Sequence, residues 1–479
     1  MNDLLVILPE IVLATLACLC LVVDLFVPQK ARVITYLFSQ TSLVITAACC
    51  LYFPHHLGVT AFSGQFIADG LSQVLKVFIL LMMFFVLVYS RNYVQMRKMP
   101  YGEFHALALF STLGMMILVS SQSLLLLYLG LELLTLPLYA LVALQKDSAN
   151  AVEAGIKYFV VGALASGMLL YGISLLYGLT GSILLNEIST SVQALDGVNG
   201  KIAVVALVFL IAGIAFKLGA VPFHMWIPDI YQGAPTNITL LIGTAPKIAA
   251  FGMAFRLLHD TLPSLAGFWS QFFVVVALLS IAIGNITAIA QTNIKRLFAY
   301  STIAHVGFLF LALLVAPRVG YAPAMYYIIV YAIVAACAFG VILYLSQQDF
   351  ESDKLSDFKG LAQRSPFLAF IMLLVAFSLA GVPPTVGFYA KFMVLSALVD
   401  AGFTWLAAFV VLFSVIGAYY YLKIVKVMYF DAPEESPRPV HGALDMRIAL
   451  SVNGIAILGF GLLPAPLYLV CKQVLSSLI

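Results

Sequence analysis

Charge is what this chain has least of. Of its 479 residues only 9% are Asp, Glu, Lys or Arg, while 63% are hydrophobic. A mean hydropathy of +1.07 excludes an ordinary soluble domain. There is no basic run and no soluble module, so nucleic-acid binding is excluded as well. The net charge of +3 carries little meaning, because in a membrane chain the placement of charge matters more than its sum. Cysteine is sparse. Cys18, Cys20, Cys49, Cys50, Cys337 and Cys471 form no C-x-x-C pair and lie in apolar stretches, which reads as small hydrophobic residues and not as a metal or iron–sulfur site. No G-x-G-x-x-G follows a strand, no phosphate-binding loop occurs, and no histidine pair has haem spacing. The chain is therefore expected to hold no nucleotide, flavin or metal of its own. Asn2 and Asp3 stand where a cleaved signal would carry basic residues, so the first apolar run reads as a retained span.

What the chain has is apolar length. A span needs about 20 apolar residues, and fourteen such stretches are expected near 4–26, 33–53, 71–90, 104–120, 123–144, 152–180, 201–220, 236–258, 269–291, 294–315, 321–346, 366–399, 404–430 and 447–470. If the N-terminus faces outward, sixteen of the 24 lysines and arginines fall at inner ends, Arg438 among them, and five at outer ends, including Lys76 and Arg256. The bias toward inner positive charge then puts both termini outside, as an even number of spans requires.

A repeat is also visible. The seventh span meets Gly219-Ala220-Val221-Pro222-Phe223-His224, and the twelfth meets Gly381-Val382-Pro383-Pro384. Spans 4–8 and 9–13 form two units of five. Five is odd, so the second unit enters the membrane from the opposite side. The expected fold is an all-α polytopic membrane protein of about 14 transmembrane helices, with two inverted five-helix repeats and two discontinuous helices. The expected division is 1–103, 104–258, 269–430 and 447–479. Interrupted helices at matching positions are the best sequence pointer to a transporter's ion site.

Four ionisable residues sit where spans should carry none: Glu132, Lys217, Lys247 and Lys391. Each costs about 2.5–3.5 kcal/mol on insertion scales if nothing compensates it. Glu132 lies five residues before Pro137, whose missing N–H frees the carbonyl of Leu133. Lys217 precedes Pro222, which frees the carbonyl of Leu218, and stands at the end of a half-helix where the dipole favours a cation. Glu132 is its expected partner. Lys247 follows Pro246 near the middle of the eighth span, and Lys391 follows the second break, where a half-helix begins and the dipole disfavours a cation. His305 and His224 are candidate relays, since imidazole both donates and accepts protons. The competing reading is a hydrogen-bonded core histidine, stronger for His224 than for His305. Lys157, Lys295 and Asp229 lie near the inner face. They read first as solvated anchors and second as a route for proton uptake.

Four segments resemble a known family. They are Ser148 to Phe159; Phe216-Lys217-Leu218-Gly219 through Pro222 to Asp229 and on to Gly233-Ala234-Pro235-Thr236; Lys295-Arg296 with Ala299 to Gly307; and Gly381 to Lys391. The resemblance is to the antiporter-like membrane subunits of respiratory complex I, shared with multisubunit cation/proton antiporters. Thr244-Ala245-Pro246, a lysine at 391 and a chain that stops after the fourteenth span favour the branch related to mitochondrial subunit 2. Asn237, where the family often has proline, is a local departure. The resemblance implies a proton-translocating subunit whose charged axis is Glu132, Lys217, Lys247 and Lys391. It implies FMN, iron–sulfur clusters and quinone in partner subunits, other membrane subunits as neighbours, and a bacterial inner membrane. A subunit of a cation/proton antiporter or of a membrane-bound hydrogenase is the alternative.

Overall fold

The computed structural model describes residues 3–52, 58–433 and 442–476. Arg438, one of the inner-end charges, lies outside them. Among the described residues thirteen helices are long and apolar enough to cross a membrane. A fourteenth crossing is made by two shorter helices placed end to end. In chain order the spanning elements are α1 (Leu8–Phe26), α2 (Val33–Tyr52), α3 (Gly70–Met96), α4 (Tyr101–Val119), α5 (Leu124–Val142), α6 (Ala149–Thr180) and α7 (Gly197–Leu218), continued by α8 (Trp226–Gly233). The eighth crossing is α9 (Thr236–Gly243) and α10 (Ala245–Phe255). Then come α11 (Ala266–Ile289), α12 (Ile294–Val319), α13 (Ala322–Leu345), the pair α14 (Pro366–Ala380) and α15 (Val386–Asp400), α16 (Thr404–Tyr429), α17 (Leu444–Leu462) and the terminal α18 (Ala465–Ser476).

Burial sorts these helices into a centre and a rim. The 236–261 stretch is wholly buried in its most apolar window, and α12 and α13 nearly so, whereas α1, α6 and α16 present most of theirs outward. A helix that is apolar all round must be enclosed by protein or face lipid. The outward residues of α6, such as Ile156, Phe159, Val160 and Leu164, are apolar, as a lipid or subunit contact requires.

The fold is all-α, as expected, with one small addition. Val59–Ala61 and Phe66–Ala68 pair as a small antiparallel hairpin between α2 and α3, with Thr60 opposite Ile67. The eighth crossing carries a local break. Thr244 breaks that helix, with φ −120° and ψ −99°, because Pro246 has no N–H for the carbonyl of Ile242 and the Thr244 hydroxyl turns back to Leu240 O at 2.8 Å. This local break at Thr244 lies within one crossing and adds to the two discontinuous helices that were expected.

Two of the five outer-end cations are not surface charges. Lys76 is buried and meets Glu10 at 2.6 Å, with Glu10 only 2% exposed. Arg256 is enclosed, holding Asp69 at 2.8 Å and Asp260 at 3.0 Å while donating to Val119 O. Asp69 in turn caps α3 through Ser72 N. Burial without a partner would be prohibitive for each of these charges, so their pairing is what lets them sit inside.

Candidate functional site: two broken helices and their lysines

The two breaks follow one local plan. α7 ends at Gly219 in the left-handed region, φ +82°, with its N–H bonded to Ala215 O and Phe216 O and the Ala220 N–H to Ala215 O. α14 ends at Gly381, φ +85°, with N–H bonds to Phe377 O and Ser378 O and the Val382 N–H to Phe377 O. This is the glycine-closed helix end that L side chains rarely form. Gly219 maps on Gly381, Val221-Pro222 on Pro383-Pro384, and both X-Pro bonds are cis.

Proline then does the same thing twice. Pro222 has no N–H for Leu218 O, and Pro384 has none for Ala380 O. Each freed carbonyl receives a lysine instead. Lys247 Nζ donates to Leu218 O at 2.6 Å, and Lys391 Nζ donates to Ala380 O at 3.0 Å. Each ammonium also lies over an aromatic ring, Lys247 at 5.6 Å from Trp226 and Lys391 at 5.2 Å from Phe308. A half-helix end carries partial negative charge, and a ring face adds to it, so both sites suit a cation in a low-dielectric interior. The lysine reaches the carbonyl from different places. Lys247 comes from α10, across the bundle, whereas Lys391 comes from α15, the second half of the same broken span.

Lys217 is placed differently. It lies in the last turn of α7, 7% exposed, and its Nζ has no hydrogen-bond partner among the described residues. Glu132 Oε1 on α5 is likewise buried without one. The two are electrostatic neighbours, yet they form no ion pair within 4.0 Å. The structure thus holds the expected partners apart.

His305 sits between two small cavities. One, of about 10 Å³, is lined by Lys391, Asn285, Ser414, Tyr420 and Tyr421 together with His305. The other, also about 10 Å³, is lined by Tyr327, Tyr331, Ser378 and Gly387 beside the same histidine. Each has room for about one water molecule. The imidazole is held by Tyr327 Oη at 2.7 Å on Nδ1 and Tyr421 Oη at 3.1 Å on Nε2. Beyond it Thr302 Oγ1 meets Tyr331 Oη at 2.7 Å.

The remaining candidates separate. His224 is half-buried beside the first break, its Nδ1 lacks a partner, and it shares no hydrogen bond with His305 among the described residues. Lys157 is 48% exposed and bonds Glu153 at 2.8 Å and Asp229 at 3.3 Å, while Asp229 also holds Arg296 at 2.8 Å. These groups, with Gln232 and Asp353, line an open cavity of about 220 Å³. Lys295 is buried, its Nζ on Ala234 O at 2.8 Å. Sequence reasoning missed the Glu10–Lys76 pair. Its signal was present, since Glu10 and Lys76 each interrupt an apolar run.

Comparison with known proteins identifies the family of this fold. A family model described as NADH:quinone oxidoreductase/Mrp antiporter, TM, matches residues 121–417, and one described as NAD(P)H-quinone oxidoreductase subunit 2 N-terminal matches residues 2–91. The chain belongs to the NADH:quinone oxidoreductase/Mrp antiporter family of membrane subunits. It is 53% identical to the NADH-quinone oxidoreductase subunit N of Thiobacillus denitrificans over 98% of this chain and 97% of that one. It is 54% identical to the subunit of the same name from Thioalkalivibrio sulfidiphilus, over 96% of each. Among solved structures it is similar to a chain of respiratory complex I from Thermus thermophilus, with 32% identity, a TM-score of 0.82 and coverage of 96% and 98% of the two chains. A chain of the Mrp complex from Dietzia shares the fold, with a TM-score of 0.85 at 20% identity over 99% and 97%.

Proposed function

We propose that the chain is a proton-translocating membrane subunit of an NADH–quinone oxidoreductase. One observation carries this reading: two broken helices each expose a carbonyl to a lysine within the helix bundle, in a chain about half identical to proteins named subunit N of that enzyme. A lysine held by a single carbonyl can lose its proton to water without dismantling a tight ion pair. Lys217, Lys247 and Lys391 are the groups that carry the proton, and His305 is the relay before Lys391, with which it shares one of its two flanking cavities. Glu132 senses the neighbouring subunit by approaching or leaving Lys217. The open cavity around Lys157 and Asp229 is the route of uptake, and the buried Lys295, next in the chain to the lining Arg296, is a further group on it. His224 is a second relay beside the first break.

The chain brings no energy source. FMN, iron–sulfur clusters and quinone belong to partner subunits, and quinone reduction there starts the sequence of transfers. Protons move from the inner side through Lys217 and Lys247 to Lys391 and leave outward, across a bacterial inner membrane with both termini on the outer side. The four-part division at 1–103, 104–258, 269–430 and 447–479 describes the inverted units that carry the two breaks.

The test is a mild-detergent pull-down of the tagged chain from its native membranes, assayed for flavin, iron–sulfur signals and NADH–quinone turnover. All three should co-purify. A partner set without redox centres contradicts the reading. In the assembled complex, Lys217→Ala or Glu132→Ala should cripple proton translocation, and Glu132→Asp, shorter by one methylene, should impair it in part. Normal pumping by an assembled Lys217→Ala complex defeats this account of the pair.

A further inference from the structure

At one membrane face the connection between α1 and α2 meets the connection between α3 and α4. A cleft of about 440 Å³ opens there, lined by Lys30, Arg32, Gln95, Lys98 and Tyr101. Among the described residues its walls carry three cations and no acid. None of the three cations has an ion-pair partner within 4.0 Å among those residues. The nearby arginines are already engaged, Arg91 by Asp445 and Arg97 by Glu351, each at 2.6 Å. Asp24, the nearest acid on α1, is engaged by the Thr35 hydroxyl at 2.7 Å. Like charges gathered without a counter-ion repel one another, so the arrangement favours an anion.

One further feature points the same way. Lys98 is held at φ +51°, a conformation costly for a residue with a Cβ, in the turn that brings its side chain to the cleft.

The surroundings decide which anion. Leu25 and Phe26 at the end of α1 are more than four-fifths exposed, and Val33, Ile34 and Leu37 on α2 also face outward. The basic cleft therefore opens beside bare apolar helix surface at the end of α1 and the start of α2. A soluble anion would use the first feature alone. A molecule with a phosphate diester head and long acyl chains uses both. We infer that this cleft binds the headgroup of an anionic phospholipid, with Arg32 and Lys98 on the phosphate and the acyl chains along α1 and α2. The chemistry is that of basic pockets between transmembrane helices that hold acidic lipids. The cleft shares no lining residue with either helix break, and the inference does not depend on the proton-transfer reading.

The test uses the whole detergent-purified assembly, stripped of lipid and titrated with spin-labelled phosphatidylglycerol or spin-labelled phosphatidylcholine. The wild type should immobilise phosphatidylglycerol in preference to phosphatidylcholine. Arg32→Gln with Lys98→Gln should weaken that binding by about tenfold or more, as expected for the loss of two near-surface charges. Lys472→Gln, a basic change elsewhere, should leave it unaltered. Should the double variant fail to assemble, Lys98→Gln alone and Lys30→Gln alone are read in the same assay, each with a smaller loss. Unchanged phosphatidylglycerol binding in the assembled variants overturns the inference. So does full displacement of the lipid by millimolar inorganic phosphate, which would make the cleft a site for a free anion.

Discussion

At the residue scale, the question is why lysine serves at 247 and 391. Lysine is a point charge whose ammonium gives up its proton when its surroundings change, whereas a guanidinium does not deprotonate in proteins. Both lysines are held by one carbonyl and one ring face, with no carboxylate in contact. Lys247→Met should therefore leave Leu218 O unsatisfied and stop proton transfer, with assembly retained because the aliphatic stem is kept. Proton release per NADH oxidised, measured in vesicles, checks this. The proposed separation of Glu132 and Lys217 rests on a different feature: Glu132 Oε1 and Lys217 Nζ are both buried without a hydrogen-bond partner among the described residues.

At the scale of the element, the breaks depend on glycine. A Cβ on Gly381 would stand 2.8 Å from Lys391 Cδ, at a φ of +85°. Gly381→Ala combines a left-handed penalty of about 1–2 kcal/mol with displacement of the lysine from Ala380 O. The expected outcome is lower proton translocation and a lower unfolding temperature of the assembled complex, read by activity and by thermal scanning. These two breaks were legible in the chain, because Gly-x-x-Pro inside an apolar run has few structural meanings. The break at Thr244 was not. Pro246 marked it, but proline within a span does not say whether the helix kinks or stops, and here the Thr244 backbone decides. The hairpin at 59–68 was likewise hidden, since two strands of three residues leave almost no periodic signal.

At the scale of the whole molecule, the charge ledger changes once pairing is known. Lys76 and Arg256 looked like ends of spans because hydropathy sees position along one helix, while ion pairs form across helices. Glu10–Lys76 ties α1 to α3, and Asp69–Arg256 ties the start of α3 to the end of the eighth crossing. Removing one member of a buried pair strands the other, at about 3–5 kcal/mol. Lys76→Met should thus reduce assembled protein and thermal stability, and Glu10→Leu with Lys76→Met should restore most of the loss. Failure of the double variant to recover would show that the pair does more than join two helices. Removing these two buried cations from the outer count sharpens the asymmetry of positive charge, and with it the expectation that both termini lie outside.

The central claim is that Lys391 works by releasing a proton and not merely by being a cation beside a helix end. Lys391→Arg tests this most directly in the assembled complex reconstituted into vesicles, with protons translocated per NADH oxidised as the readout. Arginine keeps the charge, the donor and the reach to Ala380 O. The account predicts normal assembly with translocation sharply reduced. Translocation equal to wild type would contradict it and leave Lys391 as a structural counter-charge.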